Sequence, residues 1–455
     1  MQAARARMIA SPRTLSEIDF EPANRRERTG VGFPRLLRVL GFLILPMASI
    51  ASPLLALPAV TSKYGAPAWV AVAVGQSVGG ALAVVVELAW SLTGPQRVAR
   101  LDVDAGRRVL ATALLSKFLL FLPLAVLGAA VSSWLSAVHG GTSALVAVGA
   151  TATGLTSIWY YIGRGSVGKI FKTDALPRLL CVSGASAMIL LGAPLWTYPV
   201  IGIILPGLGS VFATLYVERM GLDYFRGISF ARICHVIKVQ SIGMSGRALS
   251  GLYIALPVAL VSMVAPGAVA VFAAAERLQR ICLQMLDGIP SVMQNWVGGA
   301  SSRLQRHQRV QKAIVYNIWV GLISGAGFSM GAGIASRYVF AGSVDLPLQI
   351  TLISGVLVFV VCISKATGNL ALVALGRVKV ITLSALAGAI VGIPAIMVGA
   401  WLHGAPGALL AEVAAEMVVL AIQAVYLVIT LRRLKNKPPA DAPVAKSMVQ
   451  SDHQG

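Results

Sequence analysis

PQRVARLDVDAGRRVLATALLSKFLLFLPLAVLGAAVSSWLSA, residues 95–137, contains the pattern that decides the fold. A polar segment carrying Arg97, Arg100, Arg107 and Arg108 runs into an apolar stretch from 110 to 137, and the next gap, VHGG, has no Lys or Arg. A helix over that stretch is long enough to cross a ~30 Å hydrocarbon core with some tilt. Eleven similar stretches flank it, at 36–60, 67–93, 142–163, 177–197, 199–220, 241–264, 268–300, 312–338, 346–372, 377–402 and 405–431. Numbered in chain order, they predict spans 1 to 12 of an all-α polytopic membrane protein.

The basic residues orient these spans. Of the 38 Lys and Arg, only Lys63 and Arg337 fall in the odd-numbered gaps, and five (Lys117, Arg247, Arg277, Arg280, Lys365) fall inside the stretches. The other 31 lie in the even-numbered gaps and the two tails. Basic loops resist translocation, so the asymmetry predicts a multi-pass plasma-membrane protein with both termini in the cytoplasm. It also accounts for the net charge of +21, which in a soluble chain would suggest nucleic acid. With 57% hydrophobic and 12% charged residues there is no soluble surface for a basic groove, so the partners expected are membrane lipids and no nucleic acid.

The predicted organisation is a cytoplasmic tail at 1–35, a six-helix bundle at 36–220, a cytoplasmic amphipathic linker at 221–240, a second six-helix bundle at 241–431 and a cytoplasmic tail at 432–455. Six spans per half give parallel repeats, one of the two common transporter plans. Span 1 reads as an uncleaved anchor, since the preceding residues are polar and no small-residue cleavage site follows. The four cysteines have no paired spacing and read as free thiols.

Charges inside the spans are expensive and turn toward a partner or water. Span 8, VAVFAAAERLQRICLQMLDGIPSVMQNW, places Arg277, Arg280, Gln284, Asp287, Ser291 and Gln294 on one stripe at steps of three and four, with Glu276 one turn before Arg280. Span 2 contributes Gln76, Gly80 and Glu87, span 7 Arg247, span 10 Lys365, and span 12 Glu412, Glu416 and Gln423. These stripes predict a hydrated cavity between the two bundles, with Arg247, Arg277, Arg280, Gln284, Asp287 and Lys365 as candidate substrate contacts. Glu412 and Glu416 either pair with the arginines or hold a coupled ion. Glu87 and Lys117, at similar depth in adjacent spans, are expected to form a structural pair. The same charges could also be a purely structural network, since five acids face five bases. No nucleotide loop, HExxH, paired CxxC or large external loop is present, so neither a cofactor nor a metal site is expected, and transport is favoured over catalysis.

Three segments resemble the polysaccharide-repeat flippases of the multidrug/oligosaccharidyl-lipid/polysaccharide exporter superfamily. YGAPAWVAVAVGQSVGGALAVVVELAWSLTGPQRVAR, Tyr64 to Arg100, is similar to that family's passage from span 1 through span 2 into a cytoplasmic turn ending in arginine. Span 8, with Phe272, Ala275, Glu276, Arg277 and Pro290, resembles its aromatic, Ala-acid-base helix. SIWYYIGRGSVGKIFKTDALPR, Ser157 to Arg178, resembles its span 4 exit. Lipid II flippases of the superfamily usually have fourteen spans, so twelve point to the polysaccharide-repeat branch. The resemblance implies translocation of a lipid-diphosphate-linked oligosaccharide, carried on undecaprenyl diphosphate, across a bacterial plasma membrane by alternating access. It also implies a polysaccharide polymerase and glycosyltransferases as partners. Arginine suits the diphosphate because its planar fork binds phosphate oxygens in pairs. A cation-coupled multidrug exporter of the same fold, or a non-transporting subunit of a polysaccharide assembly complex, are the alternatives.

Overall fold

A computed structural model describes residues 35–286 and 303–436, with Met293 and Val297 between them; side chains are described from Leu54 onward, apart from 92, 167, 242–253, 303–304, 378 and 433–436. The chain divides into a short unit, Met1–Leu40, and one compact unit, Gly41–Gly455, which carries everything below. Among the described residues every regular element is helical.

Among the described residues a helix lies in each of the twelve expected spans, but few are simple rods. Spans 1 and 2 form one helical run, Arg35–Glu87, bent where Gly65 takes φ 71°, and spans 11 and 12 form another, Val378–Asn436, bent at Gly404 with φ 59°. Straight, 59 residues would reach roughly 90 Å at ~1.5 Å per residue, about three bilayer cores, so the glycine turn is what returns the chain. Seven described stretches are by themselves long and apolar enough to cross a membrane. Span 8 is not among them, because Glu276, Arg277 and Arg280 crowd Val269–Leu286.

Local chemistry sets the other boundaries. Asp102 caps span 3, Val103–Leu135, by accepting from the Ala105 amide at 2.6 Å. Span 4 is interrupted: Gly140–Ala152 tightens through Thr153–Leu155, the chain extends at Thr156, and helix resumes at Ile158–Arg164. Span 5 begins at Val167, a full ten residues before the apolar stretch, and runs through a π-helical segment Phe171–Ala175 into Leu176–Leu190. Wider turns also open span 6 at Tyr198–Ile204 and close span 10 at Ala366–Leu372. In the predicted linker, Leu222–Tyr224 forms one tight turn and Phe230 starts a helix continuous to Ala255. Its second half is therefore the beginning of span 7, and Val236 and Ile237 pack on the first bundle's core instead of lying free as a surface helix.

Close packing of spans 2 and 4 depends on small residues. A Cβ on Gly75 would lie 2.5 Å from the Ser143 carbonyl oxygen, and one on Gly79 2.4 Å from that of Ala147. Gly75 and Gly79 are four apart, the small-xxx-small spacing that lets membrane helices touch backbone to backbone.

The largest apolar core joins the two bundles, from Trp69 and Val72 on one side to Val261 and Phe272 on the other. At the end opposite the basic loops, the Trp69 and Phe340 rings lie 5.0 Å apart and Trp69 Nε1 donates to the Ala270 carbonyl at 3.3 Å. Ser343 Oγ donates to the Thr61 carbonyl there at 2.9 Å. Deeper in, Ser77 Oγ donates to the Ala255 carbonyl at 2.5 Å and accepts from the Ala259 amide at 3.1 Å. Those two groups flank Pro257, whose ring breaks the ladder of span 7, so a hydroxyl from one bundle completes a backbone break in the other.

Candidate functional site

Below that seal lies a cavity of about 260 Å³ between the bundles. Span 2 lines it with Trp69, Gln76 and Ser77, span 5 with Arg178, span 6 with Tyr198, and span 8 with Glu276, Arg277 and Arg280. Polar groups of both halves thus meet in one space, as the stripes on spans 2 and 8 predict.

The charges are unequally compensated. Arg280 donates to Glu276 from Nε at 3.1 Å and from Nη2, and its Nη2 also reaches the Ile254 carbonyl of span 7. Arg178 donates to Asp174 at 2.8 Å, one turn back on its own span. Arg277 has no carboxylate within ion-pair distance among the described residues, and its Nε is buried with no hydrogen-bond partner. The Arg178 Nε is likewise buried and unpartnered. Arg277 has its main electrostatic neighbour across the cavity in the Tyr198 phenol. A half-buried guanidinium on one bundle and a second on the other, each with an unpartnered Nε, could together take an anion that touches both halves.

The remaining predicted residues lie elsewhere. Glu412 is buried in the second bundle, behind the cavity wall, where Glu276, Arg280 and Glu416 are its electrostatic neighbours. Glu416 interacts with Ser364 and Lys365. None of Glu412, Glu416 and Lys365 lines the cavity, and Gln284 is exposed outside it. Gln423 is buried and donates to Ser384 Oγ at 3.2 Å. Asp287, Ser291 and Gln294, and the side chain of Arg247, lie outside the described residues. Glu87 and Lys117 are electrostatic neighbours but form no ion pair within 4 Å. Lys117, fully buried, instead donates to the Thr156 carbonyl at 3.0 Å, the acceptor that the interruption of span 4 leaves free.

Arg178 was not legible as a cavity residue. It reads as one more base in a cytoplasmic gap, yet eleven residues of helix precede it from Val167, roughly 16 Å at ~1.5 Å each. The usable signal was Asp174, an acid one turn earlier that marks the helix as already begun. Tyr198 and Trp69 carry no charge and look like ordinary core aromatics.

No family model matches the chain, and no curated protein matches it in sequence. Solved structures do. The inward-facing conformation of a multidrug resistance MATE family transporter of the MOP superfamily aligns over 88% of this chain and 99% of its own, at 16% identity and a TM-score of 0.60. The lipid II flippase MurJ in an inward closed conformation aligns over 88% and 90%, at 10% identity and a TM-score of 0.60. An outward-facing MATE structure aligns over 88% and 94%, at 14% identity and a TM-score of 0.50. The chain shares the fold of these structures, two six-helix bundles around a central cavity.

Proposed function

We propose that this protein is a flippase that moves a lipid-diphosphate-linked oligosaccharide from the inner to the outer leaflet of a bacterial plasma membrane, for cell-surface polysaccharide assembly. The observation that carries this reading is Arg277, half-buried with a buried and unpartnered Nε, without an ion pair among the described residues and facing the cavity that Arg178 enters from the other bundle. An anion bridging the two would neutralise both halves of the site at once. A diphosphate matches the fork geometry and charge of paired guanidinium groups. The lipid tail stays in the bilayer and the sugar follows the headgroup. About 260 Å³ is below the ~300–1,000 Å³ usual for small-molecule pockets, so this conformation admits a headgroup and the sugar enters only as the bundles part.

The seal at Trp69, Phe340 and Ser343 supports an inward-facing resting state, since it lies opposite the basic loops. The higher TM-scores to the two inward structures agree with that direction. In this reading Glu412 and Glu416, set behind the wall beside Lys365, are where a coupled H⁺ or Na⁺ would act. A cationic-drug exporter would need an unpaired carboxylate in the cavity, whereas Glu276, the described acid that lines it, is held by Arg280.

Export of surface polysaccharide, with accumulation of lipid-linked repeat units on the inner leaflet, tests the proposal. Arg277→Ala at normal abundance should abolish export and Arg277→Lys should impair it, because an ammonium keeps the charge but loses the paired hydrogen bonds. Wild-type export by Arg277→Ala would sink the diphosphate role.

A further inference from the structure

A second cavity, of about 350 Å³, lies at the basic-loop end and shares no lining residue with the first. Its walls are the start of span 3, with Arg108 and Thr112, and the connector between the bundles, with Asp223, Tyr224, Arg226 and Arg232. Three arginines therefore face one carboxylate. Asp223 is taken up by Arg226 at 3.0 Å, while Arg108 and Arg232 make no ion pair within 4 Å among the described residues.

The wall is built, not loose. Tyr224 donates its hydroxyl to Asp104 at 2.8 Å, and Arg107 lies over its ring at 5.9 Å with an Nη1 contact to the hydroxyl at 3.4 Å. Arg107 is itself tied to Asp104 at 3.2 Å and to the buried Glu218 at 3.7 Å. Asp104 is thus engaged by Tyr224 and Arg107, and Glu218 by Arg107 and Lys169, while Arg108 and Arg232 are exposed and without an ion pair among the described residues. Gly227, with φ 79° and open space where a Cβ would be, turns the connector across the mouth. A fourth base stands behind: Arg97 neighbours Arg232, and burial first, then this like charge, holds its guanidinium below the usual arginine value. Three arginines against one lining carboxylate leave a positive surplus that an anion would offset.

We infer that this pocket binds the phosphate of an anionic inner-leaflet lipid headgroup, tying the connector between the bundles to the start of span 3. The chemistry required is a phosphate group. The surroundings favour a lipid as its source: Leu222 and Phe230, beside the pocket on the connector, are 77% and 67% exposed, and Val103 at the head of span 3 is 53% exposed, giving acyl chains an apolar margin. The ligand sits where the two bundles are joined, so it would act on their relative movement and not on the cargo site.

The test uses the full-length protein purified in detergent, with native mass spectrometry and thermal unfolding read against phosphatidylglycerol, phosphatidylcholine and inorganic phosphate. Wild type should retain phosphatidylglycerol in preference to phosphatidylcholine and unfold at a higher temperature with it. The double variant Arg108→Gln/Arg232→Gln should lose that preference by roughly 25-fold, at about fivefold per arginine, and Arg108→Lys/Arg232→Lys should keep most of it. An unchanged preference in the glutamine variant overturns the site. Inorganic phosphate reproducing the full stabilisation in wild type, and not in the glutamine variant, would overturn the lipid and assign a soluble phosphate compound. If the glutamine double variant unfolds without any lipid, the single variants Arg108→Gln and Arg232→Gln decide: a preference lowered about fivefold in each supports the site, and an unchanged preference in both overturns it.

Discussion

Lys117 Nζ and the carbonyl oxygen of Thr156 are 3.0 Å apart, and the bond joins a fully buried ammonium to the one point where span 4 gives up its helix. A lysine in mid-membrane and an open backbone carbonyl are each costly alone; together they remove each other's penalty. The Thr156 and Ser157 hydroxyls beside the break remain buried and unpartnered, so the lysine is the described group that satisfies it.

Lys117→Met should therefore lower stability by about 1–3 kcal/mol, as expected when a charged donor leaves a buried acceptor unmade. Glu87→Gln should cost less, because it leaves the bond to Thr156 standing. Thermal unfolding in detergent of the two single variants and the double measures this. Equal losses in both singles with recovery in the double would restore a direct ion pair.

The seal between the bundles predicts a lock. Cysteines at Thr61 and Ser343, in a background with Cys181, Cys234, Cys282 and Cys362 replaced, should be joined by a short bifunctional thiol reagent, given the 2.9 Å bond between these residues. Cross-linked protein should stop exporting and recover on cleavage of the linker. Undiminished export after complete cross-linking would show that this end does not open.

Arg178 is expected to act with Arg277 and not merely to hold Asp174. Arg178→Gln should reduce export at least tenfold at normal abundance, and Asp174→Asn, which frees Arg178, should reduce it far less. Equal loss in the two variants, accompanied by a lower unfolding temperature, would make the pair a structural brace.

Topology can be read by labelling. A cysteine at Gly141, where a side chain meets nothing within 4 Å, should react from outside the cell, and one at the exposed Arg100 only after permeabilisation. The exposed Cys234 must first be replaced. External labelling at position 100 would reverse the orientation.

The spans were legible because twenty-odd apolar residues between basic gaps have few other uses in a chain of this composition. The face of span 8 was legible because Glu276 and Arg280 recur at helical spacing, and they do pair. The limits were set by backbone geometry. The break at Thr156 that captures Lys117, the early start of span 5 that carries Arg178 inward, and the opening at Pro257 that receives Ser77 are backbone events, and a hydropathy pattern does not register which carbonyl has lost its partner. The stripe on span 12 was real as a pattern but points into its own bundle, where Glu412 meets the pair formed by Glu276 and Arg280.

Arg277 also has an electrical consequence. In the proposed flippase cycle, a positive charge unpaired among the described residues and carried on a wall that alternates between leaflets would be acted on by the membrane potential. With the inside negative, the empty carrier is drawn toward the inward-facing state, by up to ~2.3 kcal/mol per 100 mV for a charge crossing the whole field. Once a doubly negative headgroup sits on it, the sign of the loaded site reverses and the same voltage pushes the opposite way. One arginine would then let the resting potential both reset the empty protein and drive the full one, giving the cycle a direction without a nucleotide.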